Sequence, residues 1–71
     1  AAVIYESPHR VGRTFAELAE LLGSDTHIVV GRELTKKFEE VWYGSLAEAM
    51  SHFTAPKGEF ALLIQLPELK Q

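Results

Sequence analysis

Cysteine is absent, so neither a disulfide nor a thiolate-held metal can reinforce the fold. No apolar run approaches the roughly 20 residues that a membrane helix needs, and no basic stretch leads into an apolar one as in a secretory signal. The Gly-rich turns that cradle phosphates are missing, as is the Gly-x-Ser-x-Gly elbow of a hydrolase nucleophile. His9, His27 and His52 show none of the close spacings of a zinc site, which argues against a metal centre. Positive charge is in deficit. Seven Lys and Arg against 10 Asp and Glu give a formal charge of −3, whereas a dedicated nucleic-acid-binding domain is usually strongly basic.

What is present describes an ordered globular domain. Of 71 residues, 46% are apolar and 24% charged, a balance unlike that of a disordered tail, although a chain this short buries only a thin core. The lack of cysteine fits a cytoplasmic protein. The chain lacks an initial Met and opens on the apolar run Ala1-Ala2-Val3-Ile4-Tyr5, which predicts sequence upstream; Pro67 to Gln71 reads as a natural end.

Ala2 to Tyr5 reads as a strand buried on both faces, being continuous rather than alternating. Ser7 and Pro8 suit an N-cap and a first helical position. Val11, Phe15, Leu18 and Leu22 then fall on one helical face, and Gly23 can take the left-handed conformation that stops the helix. His27 to Arg32 and Val41-Trp42-Tyr43 read as strands. Ser45 with Glu48 forms a capping box for a short helix through Phe53, with Leu46, Ala49, Met50 and Phe53 on its apolar face. Pro56 stops that helix from running on, and Phe60 to Leu66 is a last buried strand. The order is β-α-β-β-α-β, which pattern alone reads as ferredoxin-like.

Two segments can carry chemistry. Tyr5-Glu6-Ser7-Pro8-His9-Arg10 runs from the carboxyl end of a strand into a helix N-terminus, the edge where open α/β sheets bind ligands. On spacing alone, Ser7 as a plain cap with solvated His9 and Arg10 is the commoner arrangement. The second, Arg32 to Glu40, is mostly charged and directly follows a strand, where an unpaired charge is costly. That favours an Arg32–Glu33 pair or a ligand contact. The run from Gly31 to Gly44 is long for a connection between strands, as functional loops tend to be. Trp42 and Tyr43 can stack on a base, though packing is the commoner role.

The same segments, taken in order, resemble the carboxyl-terminal domain of the RNA-modifying branch of the tetrapyrrole (corrin/porphyrin) methylase family. The residues that carry the resemblance are Ile4 to Arg10, Arg32 to Lys36 with Glu39-Glu40-Val41, Gly44-Ser45-Leu46 and Lys57-Gly58-Glu59. Phe38 stands where the family often has a polar residue. The resemblance implies that residues 1–71 are the carboxyl-terminal domain of a two-domain, S-adenosylmethionine-dependent methyltransferase. It also implies 2′-O-methylation of a cytidine ribose in small-subunit rRNA, with this part inactive alone because the amino-terminal domain supplies the opposite wall of the cleft. The implied fold is α/β, a mixed four-stranded sheet with two helices and the last strand between the first and second. An uncovered apolar edge at Ala2 to Tyr5 would invite pairing of copies into a homodimer.

By the same resemblance, Tyr5, Glu6, Ser7, Gly58, Glu59 and Phe60 should face the cofactor. Arg10, Arg32 and Lys36 should meet RNA, and Glu6, His9 or Glu33 should accept the proton from the ribose oxygen. A free-standing ferredoxin-like module that binds RNA or a small ligand, and a dimerising interaction domain, are the alternatives.

Overall fold

The computed structural model describes residues 2–35, 38–54 and 57–64. Six elements follow one another as β1 (Ala2–Glu6), α1 (Val11–Leu22), β2 (His27–Thr35), β3 (Phe38–Ser45), α2 (Leu46–His52) and β4 (Glu59–Ile64). The sheet order is β1-β4-β2-β3, so the last strand lies between the first and second as expected. All three pairings are antiparallel, so no parallel pair contributes to a mixed sheet among the described residues. β1 and β2 thus run the same way with β4 between them in the opposite direction. A ferredoxin-like sheet would set β1 beside β3; here β1 pairs with β4 and β3 with β2, which overturns that alternative.

The helices share one face of the sheet. Val11 and Phe15 of α1 meet Leu46 and Ala49 of α2, with Phe53 at its C-cap, over Ile28, Val30, Phe60, Leu62 and Ile64. Leu18 and Leu22 complete the predicted stripe of α1 at the margin of this cluster. Each large side chain buried in this way contributes roughly 1.5–3 kcal/mol. The Ser45–Glu48 capping box forms in both directions, with Glu48 N donating to Ser45 Oγ at 3.1 Å and Ser45 N to Glu48 Oε1 at 2.9 Å. Gly23 ends α1 at φ +99°, its N–H donating to Ala19 O at 2.8 Å.

Three expectations are corrected. First, α1 starts at Val11 with Arg10 as N-cap, not at Pro8 behind a Ser7 cap. Residues 8–10 form a turn in which Arg10 N and Val11 N donate to the Ser7 carbonyl at 3.1 and 3.0 Å, so the backbone of Ser7, not its hydroxyl, closes the entry. Second, most of the Gly31–Gly44 run is not a loop. β2 and β3 pair continuously from His27↔Ser45 to Glu33↔Glu39, with a register shift before Thr35↔Phe38. Arg32 lies opposite Glu40 and is ion-paired with it across the strands, whereas the next register position sets Glu33 opposite Glu39.

Third, β1 is half-buried rather than buried on both faces. It is an edge strand, and Val3 and Tyr5 are 54% and 80% exposed. They belong to a face of the sheet that no described helix covers. Register places Val3, Leu63, Val29 and Tyr43 in one row across the four strands and Tyr5, Ala61, Gly31 and Val41 in the next. Val41 and Tyr43 are also exposed, so the uncovered face is apolar across its width. The end of the expected last strand, residues 65 and 66, lies outside the described residues.

Candidate functional site

A groove of about 260 Å³ opens at the end of the sheet where β1 finishes and β4 begins. Tyr5, Gly31, Val41 and Ala61, one register row, line it on the uncovered face, and Glu33 and Glu59, paired across β2 and β4, stand at its rim. Arg32, Glu40 and Phe60 also contribute, from the intervening row whose side chains turn toward the helices. An apolar floor with a few convergent polar groups is the usual make-up of a small-molecule site. Its volume falls below the roughly 300–1,000 Å³ of complete ligand pockets, as one wall of a larger cleft would.

The groove therefore brings together Tyr5, Arg32, Glu33, Glu59 and Phe60 from the residues singled out in the sequence. Gly58, at φ +85°, immediately precedes β4 at the same end, since Glu6 pairs with Phe60, but neither Gly58 nor Glu6 lines the groove. Glu6 turns to the helix side. Its Oε2 accepts from the buried Thr14 hydroxyl at 2.7 Å, and its Oε1 lies 3.7 Å from Arg10 Nε. With both oxygens engaged, Glu6 ties the end of β1 to α1. Ser7 serves the turn through its carbonyl, and His9 is exposed on that turn, away from the groove. Lys36 lies outside the described residues.

Sequence reasoning passed over three features. Gly31, Val41 and Ala61 form the groove floor, and the one available signal was a glycine inside a β-branched run, which marks close approach of another group. Glu40 reads from the sequence as part of a charged stretch and of the run Glu39-Glu40-Val41, with no role of its own. His52 was set aside as a lone histidine, yet it belongs to a polar chain running under the groove. One Arg32 Nη donates to Glu40 Oε1, while Glu40 Oε2 lies 3.3 Å from His52 Nε2. The Arg32 guanidinium sits 5.5 Å from the Phe53 ring centroid, and its buried Nε has no acceptor among the described residues. The hydrogen bond to His52 and, less strongly, the Arg32 guanidinium lower the Glu40 carboxyl from its ordinary value, against an opposing effect of burial.

Aromatic contacts fix this chain in place. The His52 ring stacks on Trp42 at 5.3 Å and 18°, and meets Phe53 edge-on at 4.6 Å. Phe53 in turn contacts Phe60 and Phe15 in the core. Trp42 lies across Gly44, where a Cβ would come within 2.5 Å of the indole.

Fold and groove together define an α/β chain with an open, apolar-floored groove at one end of its sheet. No family model matches the sequence. Among known proteins, the chain is 45% identical over 64 residues to ribosomal RNA small subunit methyltransferase I of Synechocystis, a match covering 87% of this chain and 23% of that one. It is 42% identical over 65 residues to the protein of the same name from Bacillus subtilis, covering 89% and 22%. With the one from Mesorhizobium japonicum it shares 37% identity over 71 residues, covering 96% and 24%. Over this segment the chain is similar to proteins named ribosomal RNA small subunit methyltransferase I. It spans about a quarter of the length of these relatives. Among the described residues, no helix is long and apolar enough to cross a membrane.

Proposed function

We propose that this chain is the carboxyl-terminal domain of an S-adenosylmethionine-dependent methyltransferase acting on the 2′-oxygen of a cytidine ribose in small-subunit rRNA, and that it is inactive alone. The observation that carries this reading is the groove. It is apolar in its floor, acidic at its rim, and too small for a complete ligand site. Support also comes from relatives whose names specify ribosomal RNA methylation and whose chains are about four times as long as the segment matched.

The residues present fit an adenosine-bearing cofactor. Gly31 offers a floor with no side chain, Tyr5 an exposed ring beside it, and Glu59 and Glu33 carboxylates that accept from ribose or amino groups. Such a cofactor, when bound, supplies an electrophilic methyl group. The chain's own task is to hold the reacting groups in line and to accept a proton. Glu33 is better placed for that than Glu6 or His9, since it stands at the groove, whereas Glu6 is engaged by Thr14 and Arg10 and His9 lies outside. Arg32, opposite Glu40, and Arg10, beside Glu6 at the end of β1, are the cations offered to an RNA backbone. The cytoplasmic setting expected from composition suits a ribosomal substrate.

Calorimetry with S-adenosylmethionine tests the reading. The full-length protein should bind, and residues 1–71 alone should bind weakly or not at all. Micromolar affinity in the isolated segment would contradict a shared cleft. The uncovered edge of β1 supports a second proposal, that isolated copies pair there into a homodimer. Sedimentation at increasing concentration tests this, and a monomer throughout would dismiss it.

A further inference from the structure

A second groove, of about 600 Å³, opens along β3 and is walled by α2. Trp42 and Tyr43 line it from the strand, and Ala47, Glu48, Ser51 and His52 from the helix. The aromatic rings there are held differently. Trp42 is clamped, stacked on His52 at 5.3 Å and 18° and set edge-on to Phe53 at 5.5 Å. Tyr43 stands on an edge strand, borders both this groove and the uncovered face, and is 73% exposed. Packing accounts for the first ring and leaves the second unexplained.

Polar groups complete the lining. Glu48 accepts from the Ser45 amide through Oε1 at 2.9 Å, which leaves Oε2 to accept from a ligand, and the exposed Ser51 carries a hydroxyl that both donates and accepts. Among the described residues, no Lys or Arg lines this groove. Aromatic rings with hydrogen-bonding groups and no cation suit an unpaired nucleobase, which stacks by its face and is read by its edge, better than they suit a phosphate. The groove also adjoins the first one. Glu40 lines the first, and its Oε2 lies 3.3 Å from Nε2 of His52, which lines the second. Val41 and Tyr43, one in each groove, are two positions apart on β3, about 7 Å along the strand. An RNA strand with one ribose at the first groove therefore brings a neighbouring nucleotide to the second.

We propose that the groove between β3 and α2 holds an unpaired base of the RNA substrate, a neighbour of the methylated nucleotide, stacked on Tyr43 beside Trp42 with its exocyclic amino group donating to Glu48. The proposal rests on the methyltransferase reading above and deepens it by adding a second contact for the same substrate. Because this contact is stacking rather than charge, it adds affinity without adding to the salt dependence of binding.

The experiment uses the full-length protein with two probes, short single-stranded oligomers of cytidine and of uridine, and follows binding by fluorescence anisotropy over a range of salt. Tyr43→Ala should weaken binding of the cytidine oligomer by about five- to thirtyfold with the slope of log Kd against log salt unchanged, while Tyr43→Phe stays within about twofold of wild type. Wild type should prefer cytidine, whose amino group donates, over uridine, whose O4 does not, by at least about twofold. Glu48→Gln, which still serves a capping box, should erase that preference. In protein labelled with fluorotryptophan, the Trp42 fluorine signal, assigned by Trp42→Phe, should move when RNA is added. Wild-type affinity in Tyr43→Ala, a loss shared equally by Tyr43→Phe, equal wild-type affinity for the two oligomers, or a Trp42 signal indifferent to RNA would overturn the proposal. The last is the result expected if another part of the protein fills the groove. If the base contact is found but no methyl group reaches small-subunit rRNA, the methyltransferase reading fails and the base site stands.

Discussion

Replacing Gly44 by Ala probes how the aromatic layer beside the groove is held. Gly44 needs no unusual backbone angle, since among the described residues only Gly23 and Gly58 have positive φ. The constraint is steric. A Cβ at this position would lie 2.5 and 2.8 Å from Trp42 Cη2 and Cζ2 and 2.9 Å from Glu48 Oε1. Trp42 is a stiff ring stacked on His52 and set edge-on to Phe53 at 5.5 Å, so it cannot yield without losing both contacts. Glu48 is the reciprocal half of the capping box of α2. Overpacking costs ~1–3 kcal/mol, each aromatic contact ~0.5–1.5 kcal/mol, and a lost cap ~0.5–2 kcal/mol. These effects overlap, because the methyl displaces either the indole or the carboxylate first, so a net loss of about 2–4 kcal/mol is expected. Equilibrium urea unfolding of the full-length protein measures it, with the Trp42→Phe background as control. There the loss should shrink, because a smaller ring leaves space over position 44. A Gly44→Ala protein within about 0.5 kcal/mol of wild type would refute the steric account.

Other outcomes follow from the same contacts. Thr14→Val keeps shape but removes the donor to Glu6, and should cost about 1.5–3 kcal/mol in unfolding experiments, the range for hydrogen bonds to charged groups. Glu40 has a folded-state pKa below its unfolded value, so its contribution to stability is present above about pH 4.3 and is lost as pH falls through the lower folded value. Unfolding of wild type and Glu40→Gln compared over that acid range should show the difference closing as pH drops. The uncovered sheet face should make residues 1–71 self-associate, and Tyr43→Lys, at a position 73% exposed, should reduce light scattering without loss of secondary structure.

Much of the fold was legible because it depends on local signals. The apolar stripe of α1 repeats at helical spacing, Gly23 sits where that stripe ends, and Ser45 with Glu48 is a complete cap within four residues. The strand order was not legible from pattern. Placing β4 between β1 and β2 is a long-range choice, and it was anticipated from family resemblance rather than from periodicity. Ser7-Pro8 misled because two good helix starters precede a turn. Glu6 instead binds Thr14 across β1 and α1, an anchor between residues eight apart that no capping rule describes. The β2–β3 hairpin misled because charge density suggests solvent, whereas cross-strand pairing neutralises Arg32 against Glu40.

The candidate site divides in the same way. Tyr5, Arg32, Glu33, Glu59 and Phe60 are adjacent to recognisable motifs and converge on the groove. Gly31, Ala61 and Val41 acquire their importance only from register, and His52 only from the stacking that brings α2 over β3. Neither relation is present in any short stretch of the chain.

The central claim is that the groove at the end of the uncovered sheet face forms one wall of the cofactor cleft. Gly31→Leu tests it most directly. A Cβ there meets nothing nearer than Ala61 O at 3.8 Å, so the strand tolerates the change while the side chain fills the floor. In the full-length protein, Gly31→Leu should unfold at the wild-type denaturant concentration or higher, yet bind S-adenosylmethionine at least about tenfold more weakly, ~1.4 kcal/mol, by calorimetry. Wild-type affinity in a protein of wild-type stability would contradict the account.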